Sequence, residues 1–439
     1  VPETLERAPG DAGLQVVVAD VERGLPTLSA TVPEGGRWSG AWVVVREEGE
    51  PRGIVELAYD GRETIPSEEL RAQVQAVVDR ATPRDVPRLT DAELPAASVV
   101  VASDLKRPDR LRECLAALTQ LDYPDADLIV VDNHRGAAAD GVAERIAAQF
   151  PRVRVVREAV PGVSAARNAG VRAARGEIVA FTDDDVVVDP GWLRALGTRY
   201  VLRPDEDVVT GLILPGDLRT VAQLWFERHY GGFGGPRGFA ALTYQGAGPQ
   251  ARVADRARVT VLDWAGRRVR RFALYGAGVC GAGANMSFRK DAFWRLGGFD
   301  LSLGPGTPAR GGEDLVLFMQ LLWDGGRIGF EPRAMVFHSH RADQAGLRQQ
   351  LHDYGLGFTA LLSALVWHDP RHLLGFLSLV PTIVSRLLSR PATAMATARV
   401  VPAGEPPLPP DLRRLEPRGM LRGVGSYLHS RLTERRRTR

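Results

Sequence analysis

The sequence predicts an α/β protein built on a mostly parallel sheet, with a small α+β module before it and a helical region after it. Three observations carry this. Between residues 98 and 181, apolar strand-like runs alternate with amphipathic helical runs, and strand starts recur about every 25–30 residues, the length of a βα unit. Three consecutive aspartates, Asp183, Asp184 and Asp185, close the fourth of these strands. The composition, 44% hydrophobic and 25% charged over 439 residues, is that of a globular chain long enough for two or three domains.

Residues 1–95 read as the module. Strand-like runs at 42–46 and 53–57 flank a polar turn and form a hairpin. A helix follows from Pro66 and Ser67, with Glu68 and Glu69 in its first turn, to about residue 80. Residues 82–95, rich in proline and charge, serve as a linker. Nothing here carries recognisable chemistry, and a docking or structural role is expected.

Residues 96–345 read as the main α/β unit. Strands at 98–102, 128–131, 153–156 and 177–181 alternate with helices at 108–121, 140–150 and 162–174. In the first helix Leu111, Leu115, Leu118 and Leu121 share one face. This order predicts parallel strands with helices on both sheet faces. Asp189 and Pro190 open the next helix as N-cap and first helical residue, so Asp189 reads as structural. Capping does not explain Asp183 to Asp185. Residues 205–280 are less regular, and the glycine-rich, aromatic stretch 230–239 reads as a linker or as a mobile loop over a site.

Residues 346–439 form the helical region. Apolar segments at 356–367 and 373–388, the second broken by Pro381, are too short and interrupted for a secure membrane span. They read as buried helices or as a pair lying on a membrane surface. Nine arginines against three acids in residues 411–439 form a solvated tail or face anionic lipid.

The net charge of +3 is too small to imply a nucleic-acid partner. Cys114 and Cys280 supply neither a disulfide framework nor a zinc pattern. With no basic-then-apolar leader, the expected setting is the cytoplasm, with peripheral contact at the cytoplasmic face of the membrane as the variant the apolar segments suggest.

The aspartate triplet is either a solvated acidic turn or a ligand cluster. Adjacent carboxylates repel, and Mg2+ or Mn2+ relieves that with hard oxygen ligands. The strand ends at Ser103-Asp104 and at Asp132-Asn133 fall on the same rim of a parallel sheet, where open α/β folds bind ligands. Arg167 and Asn168 lie on the helix that opens at Gly162; Arg167 is an ordinary surface arginine or faces a diphosphate. Asn285 sits in a small-residue stretch that permits close backbone approach. Glu313 and Asp314 open an apolar helix, where helix-terminus charge compensation is the ordinary reading. His338 and His340 share a strand face, and either neutral imidazole could complete an aspartate-bound metal site.

In order and spacing, these segments resemble the family-2 inverting glycosyltransferases of the GT-A fold, the nucleotide-diphospho-sugar transferases with a Rossmann-like sheet. The resemblance rests on the first strand, Asp132-Asn133, the stretch from Gly162 through Arg167-Asn168 to Gly170, Asp183 to Asp185, Gly283 to Met286, Gly297 to Asp300, Gly312 to Asp314, and His338. It spans residues 98 to about 341 and departs after strand one, where Ala102-Ser103-Asp104 replaces a proline-threonine pair. It implies an inverting hexosyl- or related transferase that uses a UDP-, GDP- or dTDP-linked sugar, with Mn2+ or Mg2+ as the cofactor. Asp185 and His338 would bind the metal, Asp183 the donor's ribose or sugar, and Asp184 would support them. Ser103, Asp104 and Asp132 would hold the nucleoside, and Arg167 and Asn285 the donor. Asp314 would be the general base and Glu313 would orient the acceptor, a lipid-linked glycan, polysaccharide or small aglycone. The alternatives are a non-catalytic sugar-nucleotide or glycan-binding protein on the same scaffold, and a nucleotidyltransferase. The last would need a glycine-rich loop after strand one that residues 102–107 lack.

Overall fold

The computed structural model describes residues 13–33, 35–81, 84–136, 141–233, 238–389 and 409–437. The chain opens with β1 (Leu14–Asp20), β2 (Leu28–Ser29), β3 (Gly40–Glu47), β4 (Glu50–Ala58), β5 (Thr64–Ile65) and α1 (Ser67–Val78). The expected hairpin is β3–β4. The sequence reading missed β1, which pairs in parallel with β3. One face of this small sheet takes Leu70 and Val74 of α1 into a shared core. The other turns Trp42 and Val44 onto Leu212, Leu214 and Met335 of the main sheet. Ion pairs add to the contact, among them Arg46, which donates to Asp189 at 2.6 Å, and Arg84, which grips Glu331 through both terminal nitrogens, at 2.6 and 3.0 Å. The segment expected to be a linker is thus anchored at Arg84; Thr82 and Pro83 lie outside the described residues.

The main chain of elements is β6 (Ala97–Ser103), α2 (Pro108–Leu118), β7 (Asp127–Asp132), α3 (Val142–Ala147), β8 (Val153–Arg157), α4 (Val163–Ala173), β9 (Ile178–Asp183), β10 (Val186–Val188) and α5 (Trp192–Leu202). It continues with β11 (Val208–Pro215), α6 (Val221–His229), β12 (Leu242–Gln245), α7 (Val253–Arg256), β13 (Arg258–Asp263) and β14 (Arg268–Ala273). β15 (Met286–Arg289), α8 (Lys290–Arg295), α9 (Glu313–Trp323) and β16 (Arg327–His338) complete it. The sheet runs β14-β13-β12-β16-β11-β15-β9-β6-β7-β8, with β10 on β16. The half β9-β6-β7-β8 is wholly parallel, as the βα alternation predicts. Beyond it β15 inserts antiparallel between β9 and β11.

Both faces of the parallel half are covered, so its strands are apolar on both sides. Val99 and Val101 of β6 pack with Leu111 and Leu115 of α2 and Leu196 of α5. Val100 packs oppositely, with Ala166 and Ala169 of α4 and the α9 core. Asp189 stands just ahead of α5, which starts at Trp192, not at Pro190. Its carboxylate accepts from Gly191 N at 2.9 Å and from Arg46, so its role is structural.

Three helices follow: α10 (Gln344–His368), α11 (Arg371–Ser389) and α12 (Leu415–Arg437). The first apolar segment is core: Leu356, Ala360, Leu361, Ala364 and Leu365 of α10 are buried. α12 lies so close to α10 that Gly355, Gly419 and Gly423 each leave no room for a Cβ. No helix among the described residues is long and apolar enough to cross a membrane.

Candidate active site

Strand register assembles the site. Ser103 pairs with Asp132, and Ala102 with Asp183, so the carboxyl ends of β6, β7 and β9 meet on one rim. β10 then runs antiparallel to the end of β16, with Val186 opposite His338. That fold-back delivers His338 to the aspartate triplet. Its Nε2 lies 3.4 Å from an Asp185 oxygen. One ligand atom each from Asp183, Asp185 and His338 lies within 4.8 Å of the other two. His340 points elsewhere, its Nε2 2.8 Å from Glu227. Two carboxylates and an imidazole suit a hard or borderline divalent cation. The Nδ1 of His338 is buried without a hydrogen-bond partner, and the Phe233 ring sits 4.4 Å from the imidazole. Burial lowers the His338 pKa while the charge of Asp185 pulls it up, and the net direction is toward the neutral form that ligates metals.

The three aspartates differ in surroundings. Asp183 is the most open, its side chain 33% exposed. Asp184 turns inward: Ser103 Oγ donates to it at 2.6 Å and Arg107 at 3.1 Å. Burial still pushes its carboxyl up to about 6. Burial acts on Asp185 in the same direction, but His338 and Arg107 outweigh it and the net shift is downward. Arg107 donates to Asp185 at 2.6 Å. This arginine was not foreseen as a site residue. Its signals in the sequence were the extra residue before Pro108 and the basic pair Lys106-Arg107. Leu105, in the left-handed region at φ 57°, makes the turn that precedes it.

Across the rim, Glu313 and Asp314 start α9. Helix-terminus compensation accounts for them only in part: the N-cap is Gly312, at φ 89°, with no side-chain cap bond, and Asp314 meets a first-turn N–H, that of Leu315. Asp314 accepts from Gly283 N at 2.7 Å and from Leu315 N at 2.8 Å. Glu313 accepts from Arg167 at 2.8 Å. The same guanidinium donates to Asp183 at 2.8 Å and to Gly283 O at 3.3 Å. Gly283 is needed for this approach, because a Cβ there would stand 2.8 Å from Arg167 Nη2. Burial raises the Glu313 carboxyl, its repulsion with Asp314 adds to that, and Arg167 only partly opposes them; the result is about 7. Asp314 is also raised, chiefly by burial.

Two expected donor contacts are corrected. Arg167 is 3% exposed and its charge is taken up by Asp183 and Glu313, so it does not face a diphosphate. Asn285 is fully buried; its amide accepts from Trp192 Nε1 and donates to the carbonyls of Leu212 and Ala334. It locks β11, β16 and α5 together beneath the rim. Asn168 likewise clamps the backbone of Phe299 through both amide atoms, at 2.9 Å each. Asp132 is 2% exposed and held by His134 and Arg157, at 2.7 and 2.6 Å. Asp104 is open to solvent beside Lys106. A cavity of about 440 Å3 lies at the opposite, amino ends of β6 and β7, lined by Ala97, Asp127 and Arg154, and takes no part in this arrangement.

Comparisons with known proteins bear on the family of the chain. Residues 98–297 match the model for glycosyl transferase family 2. An N-acetylglucosaminyltransferase of Bradyrhizobium sp. (strain ANU 289) is 32% identical over 108 residues, 24% of this chain and 71% of that protein. The chain belongs to glycosyl transferase family 2. A Bacillus subtilis (strain 168) protein named as a glycosyltransferase, EpsH, is 33% identical over 146 residues, 31% of this family-2 chain but only 42% of EpsH. Among solved structures, the mannosyltransferase PcManGT of Pyrobaculum calidifontis, in complex with GDP-Man and Mn2+, aligns at a TM-score of 0.45 and 16% identity, over 80% of this chain and 90% of that one. The family match covers β6 to α8, and so includes the aspartate triplet but not Asp314 or His338.

Proposed function

We propose that this family-2 chain is an inverting glycosyltransferase that moves a sugar from a nucleoside diphosphate sugar to an acceptor hydroxyl. The observation that carries the reading is one guanidinium: Arg167 ties Asp183, in the cation-competent cluster, to Glu313, beside Asp314. Donor end and acceptor end are thereby fixed relative to each other, as a displacement at one carbon requires.

Asp183, Asp185 and His338 would hold Mg2+ or Mn2+, and such an ion neutralises the charge that grows on a departing diphosphate. Asp184, braced by Ser103 and Arg107, keeps the triplet's backbone in place. Asp104 and the Asp132–His134–Arg157 group form the nucleoside end. Asp314 takes the proton of the acceptor hydroxyl as that oxygen attacks from the face opposite the diphosphate, which inverts the anomeric carbon. Glu313 orients the acceptor. The raised carboxyl of Asp314 suits a base, which works best with a pKa near the working pH.

The test is a panel of UDP-, GDP- and dTDP-sugars scored for diphosphate release with and without Mn2+ or Mg2+. The expected result is metal-dependent release with one donor, lost in Asp314→Asn. Release that Asp314→Asn leaves unchanged would overturn the assignment of the base.

A further inference from the structure

We infer that the outer face of α11, together with the edge strand β14, is a docking surface for an anionic lipid bilayer. Residues of α11 that point inward are accounted for: the His372 ring packs 4.1 Å from Trp323, and Gly375 lies against Trp323 and Tyr275 with no room for a Cβ. Yet the outward residues are also apolar. Leu373, Leu374 and Leu377 are 52%, 57% and 54% exposed, and Phe376 and Val380 are exposed as well. Among residues 371–380 the exposed polar side chain is Arg371 alone. A folded chain leaves few such contiguous patches to water, and those it leaves mark interaction sites.

The neighbouring element supplies charge. β14 is the last strand of the main sheet, and among the described residues no strand pairs with its outer edge. Arg268, Arg270 and Arg271 are exposed on it, and no acidic side chain among the described residues pairs with them. Tyr275 links the two elements: it follows the end of β14 by two residues, and Phe376 of α11 packs on it at 5.6 Å between ring centroids. Trp367, half exposed at the end of α10, stands just before α11.

Leucine and phenylalanine beside unpaired arginines match the layering of a bilayer surface, acyl chains under phosphates. A second copy of the chain fits poorly, since pairing two β14 edges would set arginines against arginines. The contact proposed is peripheral; no helix among the described residues is long and apolar enough to cross a membrane. Of the two apolar segments in the sequence, α11 alone presents such a face; the α10 segment is core.

Co-sedimentation of the full chain tests this, with vesicles of phosphatidylcholine alone and of phosphatidylcholine mixed with phosphatidylglycerol. Wild type should pellet with the mixed vesicles and stay in the supernatant with neutral ones. Arg268→Gln/Arg270→Gln/Arg271→Gln should weaken binding on the order of 100-fold, at about a factor of five per arginine near a charged surface. Leu374→Ser/Leu377→Ser, at exposed positions that leave the core intact, should weaken it at least about tenfold. Wild type remaining in the supernatant with both vesicles would overturn the inference. So would either variant pelleting like wild type, or a dimer in sedimentation velocity that Leu374→Ser/Leu377→Ser dissolves.

Discussion

Arg167 donates to Glu313 at 2.8 Å from a position 3% exposed, and its other terminal nitrogen holds Asp183 at the same distance. One buried cation thus compensates carboxylates from two separate parts of the chain. Removing it strands Glu313 in a low-dielectric setting and leaves the more open Asp183 uncompensated. Arg167→Gln should lower unfolding stability by about 3–5 kcal/mol. Urea denaturation measures this, and an unchanged midpoint would show that the carboxylates are neutral or solvated without Arg167.

Asp314 accepts two backbone N–H groups, and burial raises its carboxyl above the ordinary range. Asp314→Asn must turn an amide N–H toward one of those donors, which costs about 1–3 kcal/mol of stability. Its catalytic loss should be much larger, about 100- to 10,000-fold in kcat, with donor affinity kept. In wild type, kcat/KM should rise with pH along a limb displaced above the usual carboxylate range, because the base acts only when ionised. The stability sign is the reverse. A carboxyl raised on folding favours the native state while protonated, so the contribution of Glu313 and Asp314 declines as pH climbs through the raised values, about 7 for Glu313. A rate limb at an ordinary carboxylate pKa would contradict the assignment.

Arg107 places positive charge on Asp184 and Asp185 at 3.1 and 2.6 Å. A cation entering beside Asp185 feels that charge as repulsion. Arg107→Gln should therefore tighten Mn2+ binding several-fold, as expected for removing one unit charge a few ångströms from a partly buried site. Titration followed by electron paramagnetic resonance reports free Mn2+ directly. Weaker binding in the variant would mean that Arg107 shapes the carboxylates more than it competes with the ion.

Glu331 is fully buried, and burial pushes its carboxyl up, yet Arg333 and Arg84 outweigh this and bring it to about 2. A carboxyl depressed on folding adds stability above its unfolded value near 4.5, and that stability is lost as pH falls through about 2. Arg84→Ala removes one partner and leaves Arg333 at 2.9 Å. It should cost about 3 kcal/mol at neutral pH and progressively less as pH falls toward 2. Thermal melts at neutral and acid pH show this, and an equal loss at both would sink the ion-pair explanation.

The parallel half of the sheet was legible because β6 to β9 are apolar on both faces and separated by amphipathic helices. The rim followed from it, since strand ends in such a sheet coincide. His338 was legible as a candidate but not separable from His340; the β10 fold-back, three residues long, sets His338 beside Asp185 while His340 meets Glu227. Residues 205–280 read as irregular although they hold β11 to β14. β14 carries exposed arginines in place of an alternating apolar face, and β12 is four residues long. Arg167 was read outward because sequence shows a helical arginine without the acids it meets, which arrive from β9 and α9. Asn285 was read as a ligand contact because an amide among small residues looks available, whereas three partners from α5, β11 and the bulge in β16 consume it.

The central claim is that Asp183, Asp185 and His338 form one divalent-cation site that receives the donor diphosphate. Mn2+ binding, followed by electron paramagnetic resonance with and without UDP or GDP, tests it most directly. Wild type should bind Mn2+ more tightly when the matching nucleoside diphosphate is present, and Asp185→Asn and His338→Ala should each lose most of that affinity. Mn2+ binding that ignores the nucleotide, or that both variants retain in full, would contradict the account.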